Sequence, residues 1–200
     1  MRDSFIIGIS GVAGSGKDTT GLFLEQNMSI FGLKCKRFSL AESLKEQAKS
    51  YCIQKFNIDP TNCTREQKEV IRDYLVKLGK SKRNKTGGQF WLNILKEKIK
   101  KSDCDIAIIT DIRFAEFEND EMNFILDNDG LLIHVARKDI NGQNIPPANS
   151  EEAKNDPIIY QASDYRLSLS TLLHSNDIDN LLNNITEMNK MLYFCLNKAL

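Results

Sequence analysis

The chain has 200 residues, with 27 Lys and Arg against 27 Asp and Glu, and therefore carries no formal net charge. A chain without net charge has no overall electrostatic attraction to nucleic acid or to an anionic membrane, so we expect neither as a partner. The length suits one domain with its own core. No apolar run is long enough to span a membrane and the N-terminus leads straight into a strand, which predicts a cytoplasmic location.

The cysteines are odd in number and scattered, and no two have the spacing of a metal site or of a CxxC motif. Such usage predicts reduced structural thiols. The five are Cys35, Cys52, Cys63, Cys104 and Cys195.

The first element is an apolar strand from Phe5, followed by a glycine-rich turn and a helix. From Gly11 to Lys17 the turn has the spacing G-x-x-x-x-G-K. In such a P-loop the backbone N–H groups surround phosphate oxygens, the helix adds its positive end and the lysine reaches the outer phosphates. We therefore expect these residues to bind the phosphates of ATP: Gly11, Val12, Ala13, Gly14, Ser15, Gly16, Lys17, Asp18 and Thr19.

Asp18 stands where a Ser or Thr that binds Mg²⁺ commonly follows the lysine. One interpretation is that its carboxylate holds Mg²⁺, directly or through water. The other is that Asp18 is a first-turn acid that favours the helix dipole, while the hydroxyl of Thr19 or Thr20 contacts phosphate. The residues alone leave both open.

After this helix, predicted over 18–31, the pattern indicates a strand over 34–39 and helices over 41–56 and 64–78. A basic, glycine-ended segment over 79–88 follows and carries Arg83. We predict a loop here, either facing a ligand or serving as a solvated connector. The next helix, over 89–101, carries Trp91, which is better suited to anchor the core than to stack on a base.

The second half begins with an apolar strand over 105–110, followed by Asp111 and Arg113, and an acidic helix predicted over 114–127. A strand over 131–136 contains His134, predicted to be packed, and ends at Arg137. An irregular loop over 138–157, a strand over 165–169 and a helix over 178–196 complete the chain. The predicted inner side of that helix is Leu181, Leu182, Ile185, Met188, Leu192 and Leu196.

Strands that alternate with helices predict the α/β class, here a three-layer α/β/α domain of the P-loop NTPase type with a mostly parallel five-stranded sheet. Ligands of such sheets bind at the carboxyl ends of the strands. That edge would hold the P-loop, residues 39–42, Asp111, Arg113 and Arg137. We expect a single domain over 1–200, with an acceptor-binding helical region at about 40–101 and a lid-like loop at about 137–157.

Phosphoryl transfer requires positioning, Mg²⁺ and positive groups around the moving phosphoryl. We expect Lys17 to bind donor phosphates, Asp111 to hold Mg²⁺, Arg113 to bind an acceptor phosphate and Arg137 to stabilise charge from the other side. Arg83 would close over the site on its loop. The competing interpretation of Asp111 and Arg113 is a local ion pair. No catalytic base is needed if the acceptor is itself a phosphate.

These segments resemble the phage-type deoxynucleoside monophosphate kinase family. The match lies in Gly11–Thr19, in Phe38–Lys45 (similar to F-x-x-A-D-P-L-K), in Leu78-Gly79 with Arg83 and Trp91, in Asp111–Phe114 (similar to D-V-R-F), and in Arg137 with Ser150-Glu151. The chain departs from the family at Glu42, Ser43, Ala115–Phe117 and Asn149, and the displaced glutamate would be Glu116 or Glu118. The resemblance implies these substrate contacts: Phe38, Ala41, Glu42, Lys45, Arg83, Trp91, Arg113, Ser150 and Glu151.

The expected activity is transfer of the γ-phosphoryl of ATP, with Mg²⁺, to a (deoxy)nucleoside monophosphate. Alternatives are a kinase for another phosphorylated metabolite, similar to phosphomevalonate or dephospho-CoA kinases, and a degenerate kinase that only binds nucleotide. A GTPase is disfavoured, because Asp127–Gly130 precedes a strand and Asn84–Gly87 lacks the guanine-reading aspartate. The expected partner is a small-molecule nucleotide, and the sequence leaves a homodimer open.

Overall fold

The computed structural model describes residues 4–172 and 177–200. Its centre is a five-stranded sheet in which all four pairs of neighbouring strands are parallel, in the order β2-β3-β1-β4-β5. Sequence alternation therefore predicted the sheet correctly. The strands are β1 (Phe5–Ser10), β2 (Cys35–Phe38), β3 (Ile106–Ile112), β4 (Leu131–Lys138) and β5 (Tyr165–Ser170).

Helices cover both faces of the sheet, which confirms the three-layer α/β/α prediction. One apolar core joins α1 and α7 to the sheet around Ile7 and Leu24, and another joins α4 and α5 to it around Ile109 and Leu95. A smaller cluster lies between α2 and α3. The helices are α1 (Lys17–Ile30), α2 (Leu40–Phe56), α3 (Arg65–Lys85), α4 (Gln89–Lys100), α5 (Glu121–Asp127), α6 (Ser150–Ala162) and α7 (Ile178–Ala199).

Helix α3 extends further than the sequence predicted. It begins with a capping box between Thr64 and Gln67 and continues through Gly79 to Lys85. The predicted loop over 79–88 was therefore wrong for its first seven residues. Glycine is a poor helix residue, but Gly79 packs beside the side chain of Leu44 and its carbonyl oxygen accepts a hydrogen bond from Trp91 Nε1.

Two further segments also differ from the prediction. Residues 114–120 form turns rather than helix, because the carboxylate of Asp120 accepts hydrogen bonds from the N–H groups of Glu116 and Phe117. The predicted irregular loop over 138–157 ends early, because helix α6 begins at Ser150. There the side chain of Asn149 accepts a hydrogen bond from the N–H of Glu152 and caps the helix.

The predicted inner side of α7 is correct only in its second half. Leu192 and Leu196 are buried, whereas Leu181, Leu182 and Ile185 are 40%, 56% and 44% exposed. The other predictions for the core hold: all five cysteines are free thiols, and His134 is buried, with its Nε2 2.9 Å from Asp156 Oδ1. Among the described residues, no helix is both long and apolar enough to cross a membrane.

Candidate active site

The P-loop leaves β1 at its carboxyl end and leads into α1, as predicted. Gly11 has φ 128° there, and a Cβ atom on it would lie only 2.1 Å from the carbonyl oxygen of Val135. A side chain at position 11 would therefore collide with β4. The loop closes on itself through a hydrogen bond from Ser15 N to Val12 O, and α1 starts at Lys17. The positive end of α1 thus faces the loop.

Lys17 folds back over this loop and is 8% exposed. Its Nζ donates hydrogen bonds to the carbonyl oxygens of Gly11 and Val12, each at 2.7 Å. Burial, and then the positive charge of Arg113, lower the pKa of Lys17. A lysine that is both desolvated and close to another cation is stabilised by an incoming anion, as a phosphate-binding lysine requires.

Arg137, near the end of β4, lies beside Gly16 in the second half of the P-loop. Its Nη2 is 3.0 Å from where a Cβ on Gly16 would be, so glycine leaves room for the guanidinium. Within the described residues, the buried Nε of Arg137 and the buried Oγ of Ser15 have no hydrogen-bond partner. Buried polar atoms normally have partners, so these orphaned groups beside the loop suit a site that binds phosphate oxygens.

Asp111 lies on the same edge of the sheet and binds the start of α2. Its carboxylate accepts hydrogen bonds from Ser39 Oγ at 2.8 Å, Leu40 N at 2.9 Å and Ala41 N at 2.8 Å. The described residues contain no ion pair between Asp111 and Arg113, so the competing local-pair interpretation is wrong. The predicted metal role of Asp111 stays a prediction, and it requires these helix bonds to be shared or released.

Asp18 is the more accessible of the two predicted metal ligands. It is exposed at the start of α1 and lines a cleft of about 380 Å³. Among the described residues, no three His, Cys, Asp or Glu side chains are grouped closely enough to hold a metal ion alone. A Mg²⁺ ion at Asp18 would therefore complete its shell with phosphate oxygens and water.

Arg113 faces the P-loop across a glutamate that the sequence analysis did not select. The side chain of Arg113 is 47% exposed, and its Nη1 is 4.0 Å from Glu152 Oε1. The other oxygen of Glu152 accepts hydrogen bonds from Ala13 N at 3.2 Å and Ala148 N at 2.9 Å. The signal for Glu152 was available: Asn149 followed three residues later by Glu is a helix-start pattern.

Glu151, the residue selected by resemblance, points elsewhere and pairs with Lys80 of α3 at 2.8 Å. Ser150, also selected, is the first residue of α6 and is exposed. Their predicted substrate contacts stay predictions. In this structure it is Glu152, not Glu151, that reaches the P-loop.

A second unselected glutamate, Glu121, lies beneath Arg113. Its Oε2 accepts hydrogen bonds from the N–H of Arg113 at 2.6 Å and of Phe114 at 3.2 Å. Burial first, and the negative charge of Asp111 second, raise the pKa of Glu121 to about 8. The displaced family glutamate was expected at Glu116 or Glu118, but it is Glu121 that supports the backbone of Arg113.

Arg83 does not lie on a loop, and this part of its prediction was wrong. It belongs to α3, is 5% exposed and pairs with Asp120, and its Nη1 lies 2.8 Å from Glu116 Oε2. Its guanidinium lies 3.9 Å from the ring centroid of Phe114 and 4.7 Å from that of Phe117. The side chain is thus enclosed by the segment that follows Arg113, which makes it a structural anchor in this conformation.

Trp91 is buried at 6% exposure, and its Nε1 donates a hydrogen bond to the carbonyl of Gly79 at 3.2 Å. The core-anchor interpretation is confirmed. Because the side chain is buried in the core, its implied substrate contact gains no support from this structure.

The 380 Å³ cleft lies between the start of α1, the end of β2 and the start of α2. Phe38, Glu42 and Lys45, all predicted to contact the acceptor, line it. Ala41 does not line it; this residue lies at the start of α2, and its N–H donates a hydrogen bond to Asp111. Arg37 and Thr61 also line the cleft and were not selected. The lining is Asp18, Arg37, Phe38, Ser39, Glu42, Lys45, Thr61 and Thr110.

The chain is similar to several solved structures. One is shikimate kinase from Aquifex aeolicus, at 15% sequence identity and a TM-score of 0.43; the match covers 92% of this chain and 96% of that chain. Dephospho-CoA kinase from Campylobacter jejuni is similar at 15% identity and a TM-score of 0.42, covering 95% and 98%. No curated protein sequence matches the chain. The family model for phosphomevalonate kinase matches residues 9–124, more than half of the chain, from the P-loop to α5. The chain therefore belongs to the phosphomevalonate kinase family, within the P-loop kinases.

Proposed function

We propose that the chain transfers the γ-phosphoryl group of ATP to the phosphate group of a small phosphomonoester. The observation that carries the proposal is the convergence of Lys17, Arg137 and Arg113 on the P-loop, beside buried polar atoms that have no partner among the described residues. A donor triphosphate and an acceptor phosphate together bring many negative charges to one place. Three cations around one loop match that requirement.

In the proposed reaction an acceptor phosphate oxygen attacks the γ-phosphorus, and the bond from that phosphorus to the β–γ bridging oxygen breaks. ADP leaves with that oxygen and the acceptor becomes a diphosphate. Lys17 and the loop amides hold the donor, while Arg113 holds the acceptor in line. No base is required, because a phosphomonoester is mostly ionised at neutral pH.

Mg²⁺, when bound, neutralises charge on the β- and γ-phosphates. Asp18 suits it as a ligand, because this carboxylate is exposed on the cleft, whereas the oxygens of Asp111 bind Ser39 and two N–H groups of α2. We therefore assign Asp18 as the main protein ligand and Asp111 as the residue that fixes α2 against the site.

Two acceptor classes compete. The family match favours a phosphorylated metabolite of the phosphomevalonate type. The cleft supports that choice, since its lining is mostly charged and hydroxylic and, among the described residues, includes one aromatic side chain, the buried Phe38. The resemblance of Asp111–Phe114 to the deoxynucleotide kinase motif favours a deoxynucleoside monophosphate. We place the phosphorylated metabolite first.

The test is ADP release from ATP, coupled to NADH oxidation, with a panel of acceptors. The panel contains 5-phosphomevalonate, the four common deoxynucleoside monophosphates and dephospho-CoA, and the Lys17→Ala variant is the inactive control. Turnover with phosphomevalonate supports the proposal in full, and turnover with a deoxynucleotide supports the reaction but reverses the order of acceptors. Activity only with dephospho-CoA, whose acceptor is a hydroxyl, would contradict a phosphate acceptor.

A further inference from the structure

One carboxylate of the chain occupies the P-loop in this structure. Glu152, in the first turn of α6, places Oε2 3.2 Å from the N–H of Ala13 and 2.9 Å from that of Ala148. The Glu152 side chain is 11% exposed, and it reaches Ala13 on the exposed side of the loop. An N–H group of the loop that is expected to bind phosphate therefore binds an oxygen anion of the protein itself.

The charges around Glu152 match those expected around a phosphoryl group. Arg113 Nη1 lies 4.0 Å from its Oε1. The carboxylate also raises the pKa of Lys17, in opposition to Arg113, so both groups lie close enough to the loop lysine to affect its charge. A carboxylate and a phosphate oxygen accept the same hydrogen bonds, so Glu152 and a bound phosphate would compete for this position.

The position lies at one end of the donor site. Ala13 is in the first half of the loop and the contact faces Arg113, which is the acceptor side in the proposed function. The second half of the loop, at Ser15 and Gly16, leads into the N-terminus of α1 and faces Arg137 instead. A diphosphate can therefore use the α1 end of the loop while Glu152 stays in place, but a terminal phosphoryl group directed at the acceptor cannot.

We propose that Glu152 is a specificity-determining residue of the donor site, whose carboxylate occupies the place of the transferred phosphoryl group. ATP has to displace it, whereas ADP does not. The inference rests on the proposed function, since it takes the P-loop as the donor site and Arg113 as its acceptor side.

The test is calorimetric binding of ADP and of a non-hydrolysable ATP analogue to four proteins: wild type, Glu152→Ala, Glu152→Gln and Glu151→Gln. The last is the matched control, because it removes the same charge from the neighbouring position, which pairs with Lys80 and not with the loop. We expect Glu152→Ala and Glu152→Gln to bind the ATP analogue about tenfold more tightly, as expected when one competing charged hydrogen bond is removed. Binding of ADP should change by less than about twofold, and Glu151→Gln should change neither.

Equal tightening for both nucleotides, or tightening in Glu151→Gln as well, would overturn the inference, because the effect would then be one of general charge. Weaker binding of the ATP analogue by both Glu152 variants would also overturn it, since the carboxylate would then help to hold the ligand. Thermal melting without ligand confirms that each variant is folded. If the wild-type protein binds neither nucleotide, both the proposed function and this inference are wrong. If it binds both nucleotides and the Glu152 variants bind them with the same affinities, only the inference is wrong.

Discussion

Replacement of Arg83 by Met tests whether this arginine anchors the fold or closes over a substrate. The change keeps a long side chain on α3 and removes the guanidinium. Asp120, which is fully buried, then keeps its hydrogen bonds from the N–H groups of Glu116 and Phe117 but loses its cation. Removal of one partner of a buried ion pair costs about 3–5 kcal/mol.

The contacts of the guanidinium with Phe114 and Phe117 add to this cost, because a cation over an aromatic ring contributes about 0.5–2 kcal/mol. Methionine packing against the same rings returns part of that loss. We therefore expect the free energy of unfolding to fall by about 4 kcal/mol. With a urea m-value of about 2 kcal/mol/M, the unfolding midpoint should fall by about 2 M.

The assay is urea unfolding followed by circular dichroism, together with calorimetric binding of an ATP analogue. Lys77→Met is the matched control, because Lys77 is exposed on the same helix and should change stability by less than about 0.5 kcal/mol. Asp120→Asn in the Arg83→Met background should cost less than the sum of the two single changes, since it removes the unpaired charge. A midpoint equal to that of wild type, combined with weaker nucleotide binding, would refute the anchor assignment and restore the lid.

Three further predictions concern the site itself. Lys17→Ala should weaken binding of an ATP analogue by about 10–100-fold in calorimetry, as expected for loss of charged hydrogen bonds to phosphate, and wild-type affinity would count against the P-loop assignment. Arg113→Ala should lower kcat/KM for the acceptor at least about tenfold without lowering the melting temperature, because its side chain is half-exposed; unchanged kinetics would remove its acceptor role. For Glu121 the pKa is raised from 4.5 to about 8 on folding, so its stabilising contribution is complete below pH 4.5 and is lost as pH rises through about 8. Urea unfolding between pH 5 and 9 should therefore show a smaller loss of stability in Glu121→Gln than in wild type, and equal slopes would contradict the raised pKa of Glu121.

The sequence was sufficient to predict the sheet and to bring the candidate site residues to one of its edges. The P-loop, Asp111, Arg113 and Arg137 each follow or end a buried strand, and the ends of parallel strands meet at one edge. Their proximity follows from topology, so it could be inferred without any knowledge of side-chain contacts.

The positions of two other residues could not be inferred from strand order in the same way. Glu152 meets Ala13 across 139 positions of sequence and comes from a helix that starts within a predicted loop. Arg83 was assigned to a loop because of Gly79 and the polar run after it, but packing against Leu44 and Trp91 keeps this segment helical. For Arg83, tertiary contacts outweighed local propensity, whereas for Glu152 a local helix cap at Asn149 was overlooked.

The segment from Asp111 to Glu121 fixes the backbone of Arg113, the cation that we propose binds the acceptor phosphate. Three of its five carboxylates are buried and bind N–H groups or Arg83: Asp111 holds the start of α2, Asp120 holds the turn after Arg113, and Glu121 holds the N–H of Arg113 itself. Burial of Glu121 is unfavourable, as its raised pKa shows, and an apolar residue at this place would avoid that cost. In exchange, the backbone of Arg113 is fixed before any ligand arrives, and its half-exposed guanidinium already lies 4.0 Å from Glu152 beside the P-loop. A positive group held in advance where charge develops stabilises a transition state more than one that has to be ordered during the reaction.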